Sequence, residues 1–218
     1  MTVSAPSSGR PDRLSWILAL ALALPELVLL GADHGLWGAA NWRPLAYSFG
    51  GFWAGLLHGW QPNFPGQAWT MFVTYGFLHA GPVHLLGNLG ALAYLTPSVR
   101  WRVGPAGFLA IWIAAWLGGA AMFGLLSRQA APMVGASGAL FGLAGAWVVF
   151  VLRERLAAGM PPRRTVIRAA GAALVLVLLN IADWWMQSGR LAWQTHLGGA
   201  LAGGLVAAMM GRGRRGGA

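Results

Sequence analysis

Pro132-Met133-Val134-Gly135-Ala136-Ser137-Gly138-Ala139-Leu140-Phe141-Gly142 leads into Leu143-Ala144-Gly145, a run of small and apolar residues that contains a single hydroxyl. Continued to Leu152, such a run is long enough to enter a bilayer. A serine flanked by glycines in that solvent has two readings. It packs between helices, where small residues let backbones approach closely, or it is a nucleophile working inside a membrane. The rest of the chain has to choose between them.

Composition fixes the compartment. Of 218 residues, 57% are hydrophobic and 9% are charged, far from the roughly 25% charged of soluble domains. Apolar runs recur through nearly the whole chain, which reads as a polytopic all-α membrane protein rather than a soluble domain with one anchor. Cysteine is absent, so disulfides, a thiol nucleophile and a cysteine metal site are excluded.

Six stretches approach the ~20 apolar residues that cross the hydrocarbon core: 14–31, 68–95, 104–126, 137–152, 166–185 and 191–210. The fourth is short as drawn and is expected to begin nearer Met133. All 15 basic residues are arginine. With a cytoplasmic N-terminus, twelve of them fall inside (Arg10, Arg13, Arg100, Arg102, Arg153, Arg155, Arg163, Arg164, Arg168, Arg212, Arg214, Arg215), against Arg43, Arg128 and Arg190 outside. That asymmetry predicts six spans with both termini cytoplasmic. It also makes the net charge of +10 a topological address suited to an anionic inner leaflet, and argues against nucleic acid as a partner.

The first span follows Arg10 and Arg13 as a signal peptide would. Pro25-Glu26 inside it, and the lack of a small-x-small cleavage site, argue that it is retained. Residues 1–13 read as a disordered cytoplasmic tail, 14–211 as one six-helix domain and 212–218 as a basic cytoplasmic tail. Between the first two spans, residues 32–67 hold Trp37, Trp42, Trp53 and Trp60 among Gly and Pro, with Trp69 just beyond. Tryptophan favours the membrane interface, so this connection reads as an outer interfacial loop.

Polar residues within spans carry the chemistry, because each is costly to place there. Ser137 opens the fourth span, His196 lies early in the sixth, and His84 and Asn88 share one face of the second, four residues apart. The second, fourth and sixth spans all run from outside to inside, so Ser137 and His196 can meet at one depth. His84 and Asn88 reach that depth only if the long second span protrudes or tilts. The bland readings are a back-bonding serine and the close-packing pairs Gly138-x-x-x-Gly142 and Gly199-x-x-x-Gly203. His34 and His58 read as surface residues, and Glu26 and Asp183 as satisfied structural groups near span ends.

Taken together the motifs resemble those of the rhomboid intramembrane proteases. The Pro132–Gly142 stretch quoted above is similar to their serine motif. His196-Leu197-Gly198-Gly199-Ala200-Leu201-Ala202-Gly203 looks like the final-helix histidine motif. His79-Ala80-Gly81-Pro82-Val83-His84-Leu85-Leu86-Gly87-Asn88 is similar to the second-helix signature. The three fall in the family's order on the second, fourth and sixth helices, and the resemblance covers roughly 14–210.

The resemblance implies a six-transmembrane-helix rhomboid bundle and a serine endopeptidase that needs no cofactor and no metal. Ser137 would be the nucleophile and His196 the general base, an imidazole taking the hydroxyl proton. The Ser137 N–H, His84 and Asn88 would hold the oxyanion, with His79 as a structural or water-binding neighbour and Gly135 as part of the backbone site. Phe141 would pack under the His196 ring, where many relatives carry tyrosine. Glycines 198, 199 and 203 would bring span six against span four.

Implied substrates are membrane-anchored, single-span proteins cut near the outer end of their helix. They would enter past span five, whose loop Met186-Gln187-Ser188-Gly189 looks like a cap. The implied home is a plasma membrane of bacterial inner-membrane type, with the site opening to the outer face. Many relatives carry Trp-Arg shortly before the second helix, whereas Trp69-Thr70-Met71 has no arginine beside its tryptophan. Two alternatives stand beside this reading. A catalytically silent rhomboid relative would be expected to have lost the serine or histidine. A small transporter would be expected to show paired broken helices.

Overall fold

The computed structural model describes residues 13–186 and 192–210, without the side chains at 172, 173, 175, 176 and 179–186. The expected cap at 187–189, and the side chain of Asp183, lie outside the described residues. The described chain is all-helical: α1 (Arg13–Asp33), α2 (Trp42–Gly50), α3 (Gln67–Thr74), α4 (Pro82–Leu126), α5 (Ser137–Ala157), α6 (Pro162–Met186) and α7 (Trp193–Met209). Among the described residues there are no strands. The nearest approach to one is an isolated antiparallel bridge between Phe52 and Met133.

Two of these helices, α1 and α4, are long and apolar enough to cross a membrane. A straight helix of 45 residues would run for about 68 Å, more than twice the hydrocarbon core. Gly104 resolves this. It adopts φ 71° and ψ −179°, a conformation open to glycine alone at little cost, and Pro105 then starts the next helical turn. The arm 82–103 therefore ends there, and 105–126 returns toward the end from which the first arm came.

Two expectations about span limits need correction. The second span does not begin at Ala68: 67–74 is a separate helix, a 3-10 turn follows over Tyr75–Phe77, and the long helix starts at Pro82 after Gly81 with φ 95°. The fourth does not reach back to Met133. Its helix starts at Ser137, and the residues before it are extended or turned, with Met133 paired to Phe52 in both directions at 2.9 and 3.0 Å and Gly135 at φ 114°. Apolar continuity hid the second break, since Met133-Val134 carries no polar signal, whereas the first is marked by Gly81-Pro82 between apolar stretches that read as one span.

The centre of the bundle is made by the second arm of α4, by α5 and by α7, and its contacts are backbone to backbone. A Cβ added at Gly199 would lie 1.9 Å from the Gly138 carbonyl oxygen, and one at Gly203 2.3 Å from that of Gly142. From the other side, a Cβ at Gly145 would meet the Ala200 oxygen at 2.4 Å. Gly198, in contrast, faces α4, where a Cβ would meet Met122 and the Gly118 oxygen at 2.4 and 2.5 Å. Two of the three glycines expected to draw α7 to α5 do so, and the third draws it to α4.

The end of the bundle away from Ser137 is tied by arginines. Arg102 forks onto Glu154 at 2.8 and 3.1 Å. Arg153 donates to the carbonyls of Ala207 and Met210 at 3.1 and 2.7 Å and also to that of Ala208. These are the last carbonyls of α7, where a helix lacks donors of its own and carries partial negative charge.

Candidate active site

Ser137 is the first residue of α5. Ala136 before it offers no side-chain cap, and at the first two positions, Ser137 and Gly138, the N–H groups precede any intrahelical acceptor and carry partial positive charge. The loop that delivers the serine is held on two sides: Met133 by Phe52, and Gly135 by its N–H donated to the Tyr75 carbonyl at 3.0 Å. Tyr75 is itself fully buried, which pushes its phenol pKa upward, and its hydroxyl donates to the Trp116 carbonyl at 2.8 Å. The glycines at 142, 199 and 203 then let the backbones of α5 and α7 meet, and Gly138 makes room for the Thr195 methyl.

The consequence is a contact between the two residues that the serine and histidine motifs single out. Nε2 of His196 lies 2.7 Å from Oγ of Ser137. The His196 ring is 3% exposed and stacks face to face on Phe141, with centroids 4.1 Å apart and planes 3° from parallel. Phe141 stands one turn after Ser137, so one helix supplies both the hydroxyl and the surface that orients the imidazole. Directly before His196 on α7, Thr195 donates its hydroxyl to the Met133 sulfur, a further tie between α7 and the serine loop.

His84 and Asn88 enter from the first two turns of α4. A Cβ at Gly135 would meet Cε1 and Nε2 of His84 at 2.6 and 2.9 Å, so the imidazole lies directly on the backbone two residues ahead of Ser137. Only glycine fits there, by space and by its φ of 114°. Nδ1 of His84 accepts from the Ala80 N–H at 3.2 Å. Asn88 is 3% exposed and commits one N–H to the His84 carbonyl at 3.0 Å, leaving the amide a second donor. With α4 beginning at Pro82, neither residue needs a protruding span to reach the level of Ser137.

His79 is fully buried with the Phe77 backbone as a polar neighbour, and its ring meets that of His84 edge on at 5.3 Å. Burial, with His84 alongside, lowers its pKa to about 4, so it is a neutral ring at physiological pH. His34 and His58 are exposed and bonded to the carbonyls of Leu30 and Gly124 at 2.9 Å each. Among the described residues no three His, Cys, Asp or Glu side chains gather where they could hold a metal ion.

A family model for the rhomboid domain matches residues 65–213, well over half of the 218-residue chain. The chain belongs to the rhomboid family. Rhomboid protease GluP of Bacillus subtilis (strain 168) is 28% identical over 143 residues, which is 66% of this chain and 26% of that protein. YdcA of the same strain is 27% identical over 128 residues, covering 59% and 64% of the two chains. RHOMBOID-like protein 5 of Arabidopsis thaliana is 28% identical over 139 residues, covering 63% and 42%. The chain thus spans between a quarter and just under two thirds of the length of these rhomboid relatives.

What fastens the connection between α1 and α3, where Trp69 has no arginine beside it, is Arg43. Its Nη atoms donate to both oxygens of Glu26 at 2.9 Å, and its Nε donates to Asp33 at 2.7 Å. The Glu26 carboxylate accordingly holds the guanidinium pKa above its ordinary value. Glu26 is 0% exposed in an apolar helix, and an acid so placed demands a basic partner. That demand was the available signal, although spacing alone does not say which arginine answers it.

Proposed function

We propose that this rhomboid is an intramembrane serine endopeptidase that cuts membrane-anchored, single-span proteins near the outer end of their transmembrane helix. The observation that carries the proposal is the 2.7 Å contact between Ser137 Oγ and His196 Nε2. At that distance the imidazole can take the hydroxyl proton as the oxygen attacks a peptide carbonyl, and then return it to the leaving amine. Water repeats the sequence on the acyl-enzyme. Stacking on Phe141 serves the orienting task that a carboxylate performs in other serine proteases.

In the same reading the oxyanion is held by the Ser137 N–H at the start of α5, by His84 Nε2–H and by the Asn88 amide. Gly135 lets the His84 ring lie close, and His79 is a packing neighbour. Each donor of this kind is worth roughly 3–4 kcal/mol of barrier in serine proteases. The proposed placement has six spans within 14–211, both termini cytoplasmic and the site opening to the outer face of a bacterial inner membrane. The charge asymmetry supports this orientation, as does the grouping of Arg102 and Arg153 at the end of the bundle opposite Ser137.

The test is to incubate the purified chain and its Ser137→Ala variant with a model single-span substrate in proteoliposomes. Cleavage and fluorophosphonate labelling are expected of the parent and neither of the variant. Equal cleavage by both would overturn the assignment. A parent that folds but neither cleaves nor labels would mark a silent relative.

A further inference from the structure

Glu26 has no part in the chemistry proposed above, although it is fully buried and accepts both Nη atoms of Arg43 at 2.9 Å. The arginine carries the connection onward. Its Nη1 also donates to the His79 carbonyl at 3.0 Å, and the Tyr47 hydroxyl donates to that same oxygen at 2.6 Å. Two donors from α2, one of them fixed by a carboxylate from α1, therefore hold a single carbonyl.

That carbonyl belongs to the rigid plane of the His79–Ala80 peptide. In a trans peptide the C=O and N–H point in opposite directions, and no cis bond is present among the described residues. Fixing the oxygen therefore aims the Ala80 N–H, and its target is Nδ1 of His84 at 3.2 Å. A neutral imidazole that accepts at Nδ1 carries its proton at Nε2. Nε2 is among the ring atoms that lie over Gly135, 2.9 Å from where a Cβ would stand.

We infer that Glu26, Arg43 and Tyr47 are positioning residues that clamp the His79–Ala80 peptide plane and so select the His84 tautomer that turns an N–H toward Ser137. The catalytic consequence rests on the Ser137–His196 reading, whereas the choice of tautomer does not. All three residues precede the stretch 65–213 that the rhomboid family model matches. The first helix and the interfacial loop, outside that match, thereby act on the oxyanion site.

The test uses the full chain with 15N-labelled histidine in micelles, the His84 signals being identified by their loss in His84→Gln. The parent is expected to show one tautomer, protonated at Nε2. Arg43→Lys loses the fork, Glu26→Gln loses the charge, and Tyr47→Phe removes one hydroxyl with the least disturbance of packing. In the first two a mixture of tautomers is expected, with kcat down about tenfold and KM within about twofold, since a donor is misaimed rather than removed. Tyr47→Phe shifts both readouts in the same direction by less.

A single Nε2-protonated tautomer in folded Arg43→Lys and Tyr47→Phe would overturn the inference. So would mixed tautomers with kcat unchanged. If the parent itself does not cleave, the protease reading fails, and the nitrogen signals still decide whether the clamp exists.

Discussion

Adding one methyl group at Gly199 should disable the protein without changing any residue of the site. In Gly199→Ala the new Cβ would stand 1.9 Å from the Gly138 carbonyl oxygen and 2.7 Å from its carbon. Both are backbone atoms that no rotamer change can move aside. Restoring an ordinary carbon–oxygen contact of about 3.3 Å requires α5 and α7 to part by about 1.4 Å. Passed on to the reacting pair, that opening stretches the 2.7 Å contact between Ser137 and His196 to about 4 Å, beyond hydrogen bonding. A misplacement of about 1 Å costs roughly 100-fold in rate, and loss of the base costs 10²- to 10⁴-fold.

The assay is cleavage of a model single-span substrate in proteoliposomes, with fluorophosphonate labelling as a second readout and thermal unfolding as a check on folding. Gly204→Ala is the control, because its Cβ would find the Gly145 oxygen at an ordinary 3.7 Å. We expect kcat to fall at least 100-fold in the first variant and to stay within about twofold in the second. A folded Gly199→Ala protein with kcat within threefold of the parent would refute the argument that backbone contact sets the distance between the two groups.

Two further outcomes are expected. Phe141→Ala removes the ring stacked on His196, a contact worth about 0.5–1.5 kcal/mol, so kcat should fall roughly three- to tenfold with KM little changed, and Phe141→Tyr should retain activity. His79 should make stability depend on pH. Its folded pKa of about 4 lies below the ordinary 6.5, so the unfolded chain binds the proton more readily. The stabilisation is then complete above 6.5 and lost as the pH falls toward 4, by up to about 3 kcal/mol. Thermal unfolding followed between pH 7 and pH 4 should show a shallower slope in His79→Phe, and an unchanged slope would count against this account.

Much of the site was legible because intramembrane polarity is expensive. Cost drew the eye to Ser137, His196, His84 and Asn88, the three motifs in combination gave them roles, and the structure brings Ser137 against His196 and His84 against Gly135. What escaped was anything that depended on backbone conformation. The break between α3 and α4 rests on Gly81 and on a turn at Tyr75–Phe77; Gly81-Pro82 is a turn signal, but it does not say that the chain from Tyr75 onward leaves the helix. The start of α5 rests on Gly135 and on pairing with Phe52, 81 residues earlier in the chain. The pairing of Glu26 with Arg43 was illegible for the same reason. The acid announced that it needed a cation, but the choice of Arg43 depends on how residues 34–41 turn, and no periodicity encodes that.

The helix that carries His196 keeps two kinds of tolerance on its two sides. Leu197, Leu201, Leu205 and Met209 form one outward stripe, 43% to 78% exposed, while Gly199, Gly203 and Ala207 form the inward one. The outward stripe has slack: exchange of one oily residue for another there changes the fit to the acyl chains around it. The inward stripe has none, since its dimensions are those of the peptide unit itself. A protein built this way can be moved among membranes of differing lipid composition, or drift in sequence on its oily side, with the spacing of Ser137 and His196 unaltered. The gauge that sets that spacing is backbone, and mutation can only add to it.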